Sequence, residues 1–343
     1  MEIRKAYAYD DVLLVPQYSD VTSRSEIDIG TDLGKGLRLS LPIIASPMDT
    51  VSEYAMARGM NKRGACAIVH RYNDIETQLK HVTRVIDRSP DAMVGAAVGI
   101  SDDYIERATA LHKAGASFVC IDVAHGHHTL MKLALKELRY VLGDGYHIMA
   151  GNVATLNGVN DLSDWGADSV RCNIGGGSIC STRIQTGHGV PGLHTIMECA
   201  KTDRDVKIVA DGGIKNSGDI VKGLAAGADV VMCGSLLAGA TESPGELFYE
   251  GGERWKIYRG MASKEAQLNW RGRYSSFEGI VSRVPYTGHL KSILEELERG
   301  IRSGFWYSGA RNLLELQAKA RFIEQSTAGL AESHTHITTR GWQ

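Results

Sequence analysis

The sequence predicts a (β/α)8 barrel, an α/β fold in which eight parallel strands alternate with helices around a closed sheet. Eight short apolar runs ending in Gly, Asp, Asn or Ser occupy residues 42–48, 66–71, 92–99, 118–126, 146–153, 169–175, 207–214 and 229–235. Their starts are separated by 24, 26, 26, 28, 23, 38 and 22 residues. Continuous apolar strands alternating with helices indicate a parallel sheet, and eight such units indicate a closed barrel. A doubly wound sheet is the alternative, weakened because no G-x-G-x-x-G follows the first strand.

The segments between the runs have helical spacing, as residues 103–114 and 217–226 show. After the eighth run 108 residues remain, more than one helix needs. We expect two helices there, near 290–300 and 312–325, preceded by a mobile lid at about 260–286. A C-terminal tail follows at about 326–343. The chain 1–343 is therefore predicted to be one barrel domain with a lid and a tail.

Net charge, apolar runs and cysteine spacing exclude several classes of protein. The net charge of -2 and the absence of a long apolar run argue against a nucleic-acid or membrane partner. No secretory signal begins the sequence. The six cysteines show no C-x-x-C or paired spacing, which predicts reduced thiols in the cytoplasm and no zinc site.

One stretch, residues 171–191, combines a glycine run with a cysteine. Gly175, Gly176 and Gly177 are followed by Ser178 and then Cys180. Glycines let backbone N–H groups crowd around an anion, so the stretch reads as a phosphate cradle beside a nucleophile. A flexible linker with a buried cysteine is the alternative. The stretch lies in the longest interval, after the sixth strand, and strands seven and eight end in DGG and CGS, where this fold usually binds phosphate.

The ordered set of motifs along the chain resembles the IMP dehydrogenase / GMP reductase family. The motifs are SPMDTV (46–51), DVAHGH (122–127), AGNV (150–153), GSICSTR (177–183), ADGGI (210–214), GSLLAG (234–239), YRGM (258–261) and EGI (278–280). Each motif alone is weak, but the set covers essentially the whole chain. The resemblance implies chemistry at C2 of a purine mononucleotide (IMP, XMP or GMP) with NAD or NADP as cofactor.

The resemblance also implies roles for matching positions. Cys180 would be the nucleophile, and Asp122 and Asn152 would lie near nicotinamide and C2. The substrate would be bound by Ser46, Met48, Ser178, Asp211, Gly213, Gly234, Ser235, Tyr258, Gly260, Met261 and Glu278, with Asp211 at the ribose. In the dehydrogenase Arg273 and Tyr274 would activate water, whereas in the reductase Thr182 and Glu278 would handle ammonia.

The family also implies a homotetramer and a potassium site. Asn173, Gly175 and Cys180 would supply that site, with Glu332, Ser333 and His334 from a neighbouring subunit. Asn173 departs from the usual glycine of the family motif, which puts the site in question. The cluster of His125, His127 and His128 lacks supporting carboxylates or cysteines, so we do not expect a metal there.

Three functions remain open from the sequence. The first is an NAD-dependent IMP dehydrogenase without its regulatory CBS domains, favoured by the strand-end motifs. The second is an NADPH-dependent GMP reductase, favoured by the missing insert after strand two and by a lid with only residues 275–277 between Tyr274 and Glu278. The third is a protein that binds a purine nucleotide without turnover.

Overall fold

A computed structural model describes residues 3–274 and 278–333. Its strands are β1 (Val12–Leu14), β2 (Thr31–Asp32), β3 (Arg38–Leu39), β4 (Ile43–Ala45), β5 (Cys66–Val69), β6 (Val94–Val98), β7 (Phe118–Asp122), β8 (His147–Val153), β9 (Ser169–Cys172), β10 (Lys207–Asp211), β11 (Val230–Cys233), β12 (Leu247–Glu250), β13 (Glu253–Arg259), β14 (Val281–Pro285) and β15 (Phe322–Glu324).

The helices are α1 (Tyr54–Asn61), α2 (Ile75–Arg88), α3 (Tyr104–Lys113), α4 (Thr129–Leu142), α5 (Leu156–Asp164), α6 (Thr182–Thr186), α7 (Gly192–Cys199), α8 (Ser217–Ala225), α9 (Ser235–Ala238), α10 (Lys264–Arg271), α11 (Leu290–Tyr307), α12 (Leu313–Lys319) and α13 (Thr327–Glu332). Short 3-10 turns occupy Tyr9–Asp11 and Arg24–Glu26. None of the helices in the described part of the chain is long and apolar enough to cross a bilayer.

Strands β4 to β11 form a closed parallel barrel in sequence order, with β11 pairing back to β4. These are the eight predicted strands, so the predicted barrel is confirmed. The helices expected at 103–114 and 217–226 are α3 and α8. The helix expected at 312–325 is wrong at its end, because α12 stops at Lys319 and β15 then pairs antiparallel with β1. That pairing joins the two ends of the chain, which local spacing cannot reveal.

The barrel interior is filled with apolar side chains and closed at the amino ends of its strands. Phe118, Met149, Val209 and Met232 are among its fully buried members. The hairpin of β2 and β3 adds Leu33, Leu37 and Leu39 to the same cluster. A larger apolar layer lies between the barrel and its helices. The carboxyl ends of the strands lie at the opposite end of the barrel, where this fold forms its site.

The segment predicted as a lid, 260–286, contains α10 and β14. Strand β14 joins β12 and β13 in a three-stranded antiparallel sheet. The Trp270 ring of α10 stacks on Tyr72, which follows β5, with centroids 4.2 Å apart and planes 14° from parallel. This contact holds α10 beside the barrel mouth. The expected mobility stays a prediction, and residues 275–277 lie outside the described residues.

Candidate active site

A cavity of about 270 Å³ opens at the carboxyl ends of the barrel strands. The predicted residues on its wall are Ser46, Met48, Asp122, Asn152, Asn173, Gly175, Ser178, Cys180, Thr182, Asp211, Gly213, Gly234, Ser235, Tyr258, Gly260, Met261 and Glu278. The structure therefore brings together positions that are up to 232 residues apart, from Ser46 to Glu278. Four other predicted residues are not on this wall: Arg273, Tyr274, Glu332 and Ser333. His334 lies outside the described residues.

The partly exposed Cys180 thiol donates to Thr182 Oγ1 at 3.1 Å, and that hydroxyl donates to Glu278 Oε2 at 2.6 Å. A proton can therefore pass from sulfur through one hydroxyl to a carboxylate. The other five cysteines are buried. Burial raises the pKa of Cys66, Cys120 and Cys233 to about 12, which suppresses the thiolate form that acts as a nucleophile.

Backbone hydrogen bonds fix the cysteine loop against the segment that carries Glu278. Ser181 N–H donates to the Glu278 carbonyl at 2.9 Å, and Ile280 N–H donates to the Ile179 carbonyl at 3.1 Å. Glu278 N–H in turn donates to the Ala262 carbonyl at 3.1 Å. The thiol and the carboxylate thus lie on two paired segments, and their relative position does not depend on side chains alone.

The predicted phosphate cradle lies at the ends of β10 and β11. Gly212 and Gly213 have φ values of +83° and +75°, which other residues rarely adopt. A Cβ at Gly234 would lie 2.7 Å from Tyr258 Oη, so a larger residue would fill the space. Burial raises the pKa of Tyr258 to about 12, so its phenol stays neutral and able to donate. The cradle therefore combines close backbone approach with hydroxyl donors, as an anion site requires.

Asp122 and Asp211 are bridged by Arg171, a residue that the sequence analysis missed. Arg171 Nη1 donates to Asp122 Oδ1 at 2.5 Å, and its Nη2 and Nε donate to Asp211 Oδ2 at 2.8 and 3.1 Å. Asn152 Nδ2 donates to the same Asp211 oxygen at 2.7 Å. A signal was present, since an arginine inside the otherwise apolar run of the sixth strand needs partners when buried.

A second ion pair ties the loop after β4 to the end of β13. Arg259 Nε and Nη2 donate to Asp49 Oδ2 at 2.9 and 2.5 Å. Asp49 N–H contacts Met261 Sδ at 3.2 Å. This pairing places Met48 and Met261, both predicted to contact the purine, on the same wall. The partner of Asp49 was also missed, because it lies 210 residues away.

Arg273 and Tyr274 lie away from this wall. The Tyr274 side chain is 47% exposed, and Lys264 Nζ of α10 lies 4.8 Å from its ring centroid. The structure therefore does not bring this pair to Cys180. Its predicted role with water stays a prediction.

The residues predicted for potassium are only partly assembled in one chain. Asn173 Nδ2 donates to the Asp211 carbonyl at 2.6 Å, while its buried Oδ1 has no partner among the described residues. That free oxygen fits a cation ligand. Ser333 Oγ donates to Gln325 Oε1 at 2.9 Å within the tail. Residues 3–274 and 278–333 contain no cluster of three His, Cys, Asp or Glu fit for a metal.

Comparison with known proteins identifies the family. The family model described as "IMP dehydrogenase / GMP reductase domain" matches residues 6–336. Inosine-5'-monophosphate dehydrogenase from Cryptosporidium parvum is 37% identical over 97% of this chain and 96% of its own length. GMP reductase from Leishmania major is 31% identical over 96% of each chain. A cysteine-to-alanine variant of GMP reductase from Trypanosoma brucei, solved in complex with guanosine 5'-monophosphate, superposes with a TM-score of 0.91 at 30% identity, covering 98% of each chain.

Chain length does not separate the two activities. The alignment with the Leishmania reductase spans 472 positions, and that with the Cryptosporidium dehydrogenase spans 387, against 343 residues here. A reductase can therefore carry the longer additional segments, and the missing insert is no argument for reductase activity. Both kinds of relative share sequence with this chain over nearly its whole length. The chain belongs to the IMP dehydrogenase / GMP reductase family and is an oxidoreductase.

Proposed function

We propose that this protein oxidises IMP to XMP with NAD⁺ through a covalent adduct at Cys180. The observation that carries the covalent chemistry, which both candidate reactions share, is the Cys180–Thr182–Glu278 hydrogen-bond chain, set in a cavity that also contains the predicted phosphate cradle. The strand-end motifs favour the oxidation of IMP over the reduction of GMP. A nucleophile in contact with a group that can take its proton is the general signature of covalent catalysis. A merely structural thiol would not need such a contact.

The wall of the cavity accounts for each part of a purine mononucleotide. The phosphate is bound by Ser178, Gly213, Gly234, Ser235 and Tyr258, and the ribose hydroxyls by Asp211. The base is bound between Met48 and Met261 with Glu278 at its edge, and Ser46 and Gly260 complete the wall. In the proposed binding mode, C2 of the purine faces the Cys180 sulfur.

The reaction divides into two steps at C2. Sulfur adds to C2, which becomes tetrahedral, and the C2 hydrogen leaves as hydride. Thr182 and Glu278 receive the thiol proton as sulfur attacks. Water then attacks the resulting thioimidate at C2, and the C–S bond breaks to give XMP and the free thiol. Arg273 and Tyr274 are proposed to activate that water after moving from their present position.

The dinucleotide, when bound, supplies the hydride acceptor. Asp122 and Asn152 are proposed to hold its nicotinamide end, because both line the cavity and both are fixed by neighbours. Asn173 Oδ1 and the backbone around Gly175 and Cys180 are proposed to bind potassium together with Glu332, Ser333 and His334 of another subunit. A cytoplasmic homotetramer of single-domain chains completes the proposal.

GMP reduction to IMP with NADPH is the second candidate. It is supported by the likeness to a GMP-bound reductase and by the position of Arg273 and Tyr274 away from the wall. In that reaction sulfur would displace ammonia at C2, with Thr182 and Glu278 supplying the proton to the leaving group. C2 would then receive a hydride from the reduced dinucleotide, and the C–S bond would break to give IMP and the free thiol. Binding of a purine nucleotide without turnover is a third outcome that the next experiment also detects.

Nicotinamide absorbance in two assays tests these candidates, with potassium present and Cys180→Ala as control. IMP with NAD⁺ is expected to give rising absorbance that the control abolishes. Falling absorbance only with GMP and NADPH would replace the proposal by the reductase. Silence in both assays, with nucleotide binding still measurable by calorimetry, would reject turnover.

A further inference from the structure

Arg171 lies on the cavity wall at the centre of the site, and its protonated guanidinium is neither a nucleophile nor a base. It is the third residue of β9 and only 6% exposed. Its guanidinium donates to carboxylates from two other strands, Asp122 at the end of β7 and Asp211 at the end of β10. Burial disfavours its charge but the two carboxylates outweigh this, and together they raise the pKa of Arg171, which stays protonated.

The two carboxylate oxygens of Asp211 differ in their hydrogen bonds. Oδ2 accepts three N–H groups, two from Arg171 and one from Asn152. Oδ1 has no hydrogen-bond partner among the described residues, and Asp211 lines the cavity. Because Oδ2 is fully used, Oδ1 is the oxygen that remains to accept from a bound ligand.

The same guanidinium also holds Asp122. Arg171 Nη1 donates a hydrogen bond to Asp122 Oδ1. Arg71 Nε lies 3.9 Å from Asp122 Oδ2. Two carboxylates in one poorly solvated place repel each other unless a cation lies between them. A lysine there would present a point charge on a flexible stem and could not hold both in the fixed geometry of a guanidinium.

We propose that Arg171 is a positioning residue that couples the two halves of the site. It turns Asp211 Oδ1 toward the ribose hydroxyls and at the same time fixes Asp122 toward the nicotinamide side. Nucleotide binding and dinucleotide binding then depend on one side chain, which acts through Asp211 and Asp122. This inference rests on the proposed function, because that function assigns ribose to Asp211 and nicotinamide to Asp122.

The test compares Arg171→Lys with Arg139→Lys. The second variant is the matched control, because Arg139 also pairs with an aspartate, but at the opposite end of the barrel. IMP affinity is measured by calorimetry, and kcat and both KM values by absorbance. Arg171→Lys is expected to weaken IMP binding at least tenfold and to raise the KM of the dinucleotide at least fivefold. Arg139→Lys is expected to leave these values within twofold even if its Tm falls. Arg171→Lys values within twofold of wild type, in a folded protein, would overturn the proposal.

A second pair of variants covers the case in which Arg171→Lys does not fold. Arg171→Gln combined with Asp122→Asn removes the cation together with one anion, and Asp122→Asn alone is its reference. The double variant is expected to bind IMP at least tenfold more weakly than the reference, and equal affinity would reject the role of Arg171. Failure of the proposed function looks different, because the wild-type protein would then not reduce NAD⁺ in the presence of IMP, whereas failure of this inference leaves wild-type turnover intact and the variants equal to their references.

Discussion

At the amino ends of the barrel strands Arg139 contacts Asp168 at 2.6 Å, and at the carboxyl ends Arg171 contacts Asp211 at 2.8 Å. Arg139 also donates to the backbone carbonyls of residues 143, 146 and 166. Asp168 also accepts a hydrogen bond from Ile148 N–H at 2.8 Å. These polar groups find their partners within the protein. The second arginine is shared by two carboxylates, and one oxygen of Asp211 is left for the cavity.

The difference shows how one barrel separates stability from chemistry. At the amino end the β2–β3 hairpin covers the interior, and Arg139 and Asp168 are paired there, although His147 Nδ1 is buried without a partner among the described residues. At the carboxyl end Asp49 Oδ1 and Asn173 Oδ1 are buried without partners among the described residues. Buried polar atoms without partners cost stability. Asn173 lines the cavity, so a ligand bound there can supply the contact that its Oδ1 lacks. Substitutions at the two ends should therefore change different measured quantities.

Cys180→Ala should have the largest effect and should change turnover alone. We expect kcat to fall by at least about a thousandfold, because no other group can form the adduct. Nucleotide affinity should change little, since the phosphate and ribose contacts remain. The control is Cys66→Ala, which removes a buried thiol from the barrel interior and should lose stability but keep turnover. Residual turnover above a tenth of wild type would contradict the role of Cys180.

Phe118→Ala, in the barrel interior near the amino end, should lower stability and leave substrate binding unchanged. The side chain is fully buried and packs in the same cluster as Met149. Its loss should lower the free energy of unfolding by about 3 to 5 kcal/mol. Urea denaturation measures this loss, and both KM values of the folded variant should stay within twofold of wild type. A changed KM with unchanged stability would show that the two ends are not separate.

Thr182→Val tests the proton path by removing one hydroxyl at nearly constant volume. We expect kcat to fall by about a hundredfold, within the range for loss of general acid–base catalysis. Thr186→Val on the same helix is the matched control, because Thr186 Oγ1 donates only to the Thr182 carbonyl. Equal rates for the two variants would remove the Cys180–Thr182–Glu278 chain from the mechanism.

Much of this fold could be predicted because the sequence patterns that specify its strands and helices lie within short segments of the chain. Each barrel strand is a short apolar run, and each run is bounded by residues that end strands. The site residues on those strand ends followed from the fold, since parallel strands bring their carboxyl ends to one edge. Cys180 was recognised from the glycine run beside it, and the structure puts both on one cavity wall.

The features that escaped prediction depend on partners far away in the sequence. Arg171 contacts Asp122 and Asp211 at separations of 49 and 40 residues, which spacing cannot pair. Strand β15 was taken as helix because its partner β1 lies at the other end of the chain. The positions of Arg273 and Tyr274 depend on how α10 packs on Tyr72, a contact between a helix and a loop that no motif encodes.

The smallest effect expected is a pH dependence that belongs to the amino end. Burial lowers the pKa of His147, the first residue of β8, to about 4, from an ordinary value of 6.5. Between these values the unfolded chain binds a proton that the native protein does not, so this contribution to stability is complete above pH 6.5 and is lost as the pH falls toward 4. Between pH 7 and pH 5 the loss should be about 2 kcal/mol. His147→Gln should lack that part of the slope in urea denaturation, whereas the exposed His289→Gln should keep it. Equal slopes for wild type and His147→Gln would show that His147 is not the titrating group, and the pH dependence of kcat should be the same in all three proteins because it arises at the other end of the barrel.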